Sequence, residues 1–135
     1  MKFDRSIYVF ALIAALCVAS VSFAAPDPAK TGEAHTSAMF MGPKANTGTV
    51  THTIENGKSI LRVSADFKVP DTPAPTWRVV DMQGNVNTLD AFKTKGGEKR
   101  EVVVPSFVKD IAKVQVYCAF AEVLLGETSF TPAVK

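Results

Sequence analysis

Apolar and polar residues alternate through the middle of this chain. Leu61, Val63, Ala65, Phe67 and Val69 take every second place, with Arg62, Ser64, Asp66 and Lys68 between them. That period of two predicts a β-strand with one dry and one wet face. Upstream, Val50, His52 and Ile54 alternate with threonines, and Glu55-Asn56-Gly57-Lys58 separates the two runs. Asn-Gly accepts the left-handed backbone of a tight turn, so the pair of runs predicts an antiparallel hairpin with Leu61 and Phe67 inside. Trp77–Val80, Glu101–Val104, Val114–Cys118 and Glu122–Leu125 predict further short strands. Pro105 stops one of these, Gly126 interrupts another as a bulge or kink, and Met82-Gln83-Gly84-Asn85 supplies a second turn. Only Leu89–Phe92 and Phe107–Ile111 suit a helix, for about one turn each. Short strands separated by turn residues predict an all-β fold, a single small antiparallel β-sandwich or open barrel of about seven to eight strands.

The N-terminus follows a different pattern. Lys2 and Arg5 precede the apolar stretch Ile7 to Val21, and Ser22-Phe23-Ala24 places small residues at −3 and −1. This is the pattern of a secretory signal peptide, with cleavage expected between Ala24 and Ala25. The uncharged run is short for a membrane anchor, and Leu16 stands where a lipobox would need a small residue before Cys17. The mature chain is therefore expected to be periplasmic or secreted, with no membrane span. Residues 25–45, rich in Ala, Pro, Thr and Lys, have no apolar period and are expected to form a flexible leader or a loosely docked arm. The β domain is placed at 46–131 and a short tail at 132–135.

Cleavage leaves 111 of the 135 residues, enough for one small core. Thirteen Lys and Arg then face twelve Asp and Glu, a balance that argues against nucleic acid or an anionic membrane as partner. Lys93, Lys95, Lys99 and Arg100 cluster around Gly96-Gly97 and are expected as a solvated turn.

Cysteine usage is the sharpest chemical clue. Once Cys17 leaves with the signal, Cys118 is alone and has no internal disulfide partner. Period-two geometry puts it on the apolar face with Val114 and Val116, and Gln115 and Tyr117 on the other. Two readings stay open: a buried thiol behaving as a small apolar residue, or a thiol used in redox chemistry or as a ligand. Cys118, His35, His52, Met39, Met41 and Met82 make up the ligand inventory of a blue-copper site, but no His or Met follows the cysteine to close the loop. A c-type haem would need Cys-x-x-Cys-His, and zinc would need more clustered ligands. A haem held by the Cys118 thiolate is chemically allowed if a large apolar pocket exists. His52 is expected as a satisfied, half-buried histidine, His35 as solvated, and Trp77 as core. No nucleophile elbow, phosphate loop or carboxylate pair is present, so no catalytic set can be assembled.

Several pieces occur in the order found in one known family. Gly48-Thr49-Val50 is similar to an opening Gly-x-Val strand. Leu61-Arg62-Val63 leading to Asp66-Phe67-Lys68-Val69 is similar to a Leu-Arg-Leu…Asp-Phe-x-Val segment. Pro75 stands where a Gly-Pro-Asp turn is usual, Val104-Pro105 matches a hydrophobic-Pro step, and Val116-Tyr117-Cys118 with Val123, Leu125 and Gly126 matches an aromatic-Cys strand and its Val-x-Phe-Gly element. Over about residues 40–131 the chain thus resembles the DM-thirteen domain, a small extracellular all-β module often found beside DOMON domains. It departs from that pattern at Ala74 and Thr76, where Gly and Asp are usual, and in lacking a histidine before Gly48. The resemblance implies extracellular electron transfer or redox chemistry, with Cys118 as a bare thiol or as ligand to a group such as haem. The expected function is a periplasmic or cell-surface redox role with an unknown redox or envelope protein partner. The alternative is a non-catalytic envelope binding or scaffold module with Cys118 in its core.

Overall fold

Asn56 and Gly57 have φ angles of 50° and 73°, the backbone of a two-residue hairpin turn, and they join β2 (Val50–Glu55) to β3 (Lys58–Val63) in the expected register. The computed structural model describes residues 32–135, so the expected signal peptide and the start of the leader lie outside the described residues. These form ten antiparallel strands and no helix. The others are β1 (His35–Thr36), β4 (Pro75–Val80), β5 (Val86–Ala91), β6 (Lys93–Thr94), β7 (Gly97–Glu98), β8 (Glu101–Val104), β9 (Ile111–Cys118) and β10 (Val123–Val134). Seven have four or more residues, in line with the seven to eight expected. One sheet has the order β1-β2-β3-β8, the other β10-β9-β4-β5, and β6-β7 is a separate hairpin. The fold is a small all-β sandwich and not a closed barrel.

The inner faces carry the period-two residues. Val50, Leu61, Val79, Val102, Val114 and Val116 are buried, and Trp77 stacks on Phe92 with ring centres 4.4 Å apart and planes within 12°. Phe92 continues to Phe67 at 5.5 Å, and Phe67 to Phe40 at 4.9 Å. Four aromatic rings therefore run in series through the core.

Four expectations are corrected. The alternation from Leu61 to Val69 does not make one strand. β3 ends at Val63, where the Ser64 hydroxyl donates to Asp66 at 2.5 Å in a turn, leaving Ala65 exposed and Phe67 buried beyond it. Leu89–Phe92 is not helical, because Val86–Ala91 pairs with β4 as an edge strand. Phe107–Ile111 is not helical either: a turn after Pro105 leads straight into β9. The fourth correction concerns both domain boundaries. Residues 32–45 are no loose leader, since Phe40 and Ala45 are fully buried and their backbone bonds reach both sheets. Ser37 N–H donates to Val50, while Ala38, Met41 and Ala45 N–H donate to Ser129, Glu127 and Leu125. This arm closes one open side of the sandwich. At the other end, β10 runs to Val134, which is buried and pairs with Ile111, so residues 132–134 belong to the domain.

The basic cluster is partly engaged. Lys93 pairs with Asp71 at 3.3 Å, Lys99 with Asp90, and Arg100 with Glu98 at 3.1 Å. Arg100 also donates to the carbonyls of Ser64 and Phe67, at 2.6 and 3.0 Å, which ties down the turn after β3.

Candidate functional site

Cys118 is the last residue of β9. The alternation of that strand turns Val114, Val116 and Cys118 inward and Gln115 and Tyr117 outward, as expected. On the outer face the Arg78 guanidinium lies 4.0 Å over the Tyr117 ring. Cys118 sits directly opposite Pro75 on β4, and Ala119 N–H donates to the Ala74 carbonyl at 2.9 Å, so the 72–75 segment and the 119–121 turn are held against each other. The sulfur lies between them.

The residue is only 1% exposed, yet its cover is thin. Asp71, Pro73 and Ala119 to Leu124 are all exposed, and Phe120 keeps 77% of its surface in water. Cys118 thus belongs to the buried core but lies beside exposed segments at the end of its strand.

Polar groups converge on the sulfur. The Ala121 N–H donates to Sγ at 3.4 Å, the N–H groups of Ala74 and Phe120 face it, and so does the Thr72 hydroxyl. That hydroxyl is buried and makes no hydrogen bond among the described residues. The Ala121 N–H pulls the thiol pKa down most. Burial pushes it up, Ala74, Phe120 and Thr72 add to the lowering, and the net direction is below the ordinary 9.0. The sulfur thus meets backbone N–H groups as well as apolar neighbours.

Haem does not fit beside this sulfur. Thr72, Ala74, Phe120 and Ala121 enclose it, and Trp77 and Phe92 fill the neighbouring inner face with a tight stack. A porphyrin would have to displace that stack, and no step is assigned to it. Among the described residues, no three His, Cys, Asp or Glu side chains are grouped to hold a metal ion.

The remaining candidates disperse. His52 lies on the inner face of β2, 1% exposed, with Nε2 2.8 Å from the Ser59 hydroxyl. Burial, helped by the charge of His35, pushes its pKa down, so it is a neutral core histidine. His35 is exposed but sits opposite it in β1, ring centres 6.2 Å apart. Met39, Met41 and Met82 are exposed. Gly126 marks a register shift in β10, the irregularity expected there.

Sequence reasoning found the cysteine and missed its donors. Thr72 carried no signal in a Pro-rich link, and three of the four donors are backbone groups, which no residue type announces. Comparison with known proteins finds no matching family model, curated protein or solved structure.

Proposed function

We propose that this domain is a thiol redox module acting outside the cytoplasm, with Cys118 cycling between thiolate and sulfenic acid. The donor set around Sγ carries this reading. N–H and O–H groups aimed at sulfur favour a thiolate over a thiol, and they suit a sulfenate equally well. The thin cover admits a small oxidant, and the class that matches is a hydroperoxide. The thiolate sulfur attacks one peroxide oxygen, an S–O bond forms and the O–O bond breaks. Two electrons pass from sulfur to the peroxide, and the departing hydroxide or alkoxide takes a proton from water. An external thiol then condenses with the sulfenic acid and expels water, and a second thiol reduces the mixed disulfide.

The resemblance to the DM-thirteen family supports the same centre. Pro75 and Cys118 come from two separate elements of that pattern and are opposed in register here. The N-terminal signal pattern supports export. A second reading, a binding or scaffold module with Cys118 as core, is favoured by the 1% exposure of the residue.

The two readings separate on the folded chain. Treatment with a hydroperoxide followed by a sulfenic-acid trap such as dimedone should give a single adduct on Cys118. A folded protein that gains no adduct, while the urea-unfolded chain reacts with a thiol reagent, would leave the scaffold reading in its place.

A further inference from the structure

At the end of the sandwich remote from Cys118, where β2 turns into β3, a half-open groove of about 460 Å³ runs between the sheets. Its volume falls in the range of small-molecule sites. Ile54, Val104, Pro105 and Val108 give it an apolar floor, and Lys58, Lys109 and Lys135 stand around it with no carboxylate among the lining residues. None of these lysines joins the ion pairs formed among the described residues. Glu55, opposite Lys58 in register, is taken up by Arg62 at 2.5 Å.

Two hydroxyl side chains, Ser59 and Ser106, also line the groove. The Ser59 hydroxyl is 2.8 Å from His52 Nε2, whereas the buried His52 Nδ1 has no hydrogen-bond partner among the described residues. A buried N–H without an acceptor costs more than a bare lone pair, so the proton belongs on Nε2, which donates to Ser59 Oγ. The Ser59 hydroxyl hydrogen is then free to donate to an acceptor in the groove. The same tautomer leaves Nε2 unable to take a proton from Ser59, which argues against a serine-nucleophile reading of the pair.

We infer that this groove binds a single-chain carboxylate amphiphile, with its alkyl chain on the apolar floor and its head group held by Lys58, Lys109 and the Ser59 hydroxyl. Apolar floor and cationic rim complement the two parts of such a molecule. This inference does not depend on Cys118.

The test uses the ¹⁵N-labelled chain titrated with octanoate, 1-octanol and acetate. Octanoate should give saturable shifts at the amides of Gly57, Ser59, Val104 and Ser106, and should bind about tenfold more tightly than octanol, as two favourable surface charges allow. Acetate should give no saturable shift. The pair Lys58→Gln and Lys109→Gln should bring octanoate down to the affinity of octanol. Val103→Asp, a change at a half-exposed residue lining the groove, should abolish octanoate binding with spectral dispersion unchanged. Equal binding of octanoate and octanol would overturn the inference. So would acetate shifting the same amides with the same affinity, or phosphatidylglycerol vesicles binding a chain that octanoate leaves unshifted.

Discussion

Gly126 lies hard against Ala45. A Cβ built on Gly126 would fall 2.1 Å from the Ala45 carbonyl oxygen and 2.8 Å from its Cβ. β10 can therefore take the arm only because residue 126 has no side chain. Gly126→Ala should destabilise the fold by about 1–3 kcal/mol through overpacking. It should also speed exchange of the Lys44 and Ala45 amides, which donate to the Leu125 carbonyl. Urea denaturation and amide exchange check the two effects, and unchanged protection at Ala45 would show that the arm seats without this contact.

Phe67 links the arm to the second sheet, with Phe40 on one side and Phe92 on the other. Phe67→Ala removes the middle ring of the series and should cost about 3–5 kcal/mol. Trp77 reports the damage, because it stacks on Phe92 and its fluorescence should shift to the red. A loss below about 1 kcal/mol would mean that the core closes without this ring.

His52 makes stability depend on pH. Its folded pKa lies below the ordinary 6.5, so between the two values the unfolded chain binds the proton and the folded chain does not. The stabilisation is complete above 6.5 and is lost as pH falls toward the folded value. Unfolding free energies at pH 7.5 and 5.5 should show a fall in the native chain and a smaller one in His52→Gln.

Cys118 acts in the alkaline range. Its folded pKa is held below 9.0, chiefly by the Ala121 N–H, so its contribution is fully present above 9.0 and disappears as pH falls through the folded value. The stability difference between the native chain and Cys118→Ala should therefore grow in favour of the native chain as pH rises to 9.5. Thr72→Val, which removes one donor, should reduce that growth. A difference flat with pH would show that the donors do not stabilise a thiolate.

Much of the sandwich was legible where local pattern and tertiary burial agree. Asn56-Gly57 and the run Val114 to Cys118 each state their geometry in residue types. β5 was missed because Val86–Ala91 is an edge strand with most of its residues in water, so it shows little apolar-polar contrast. The arm was missed because its buried side chains, Ser37, Phe40 and Ala45, follow no fixed period and backbone bonds do the rest. At Cys118 the strand and the inward direction could be read, whereas Thr72, Ala74 and Ala121 come near the sulfur only when two loops meet.

The arm also sets an order of assembly. Thr128 donates from β10 to the Ala38 carbonyl across 90 positions of sequence, and Met41 exchanges backbone bonds with Glu127. The first described segment is thus seated by the last strand. While β10 is still unsynthesised, the arm lacks half its partners and that side of the sandwich stays open. Folding must wait for nearly the whole chain and close its longest loop to finish, which favours slow, late, all-or-none completion over stepwise growth from the N-terminus.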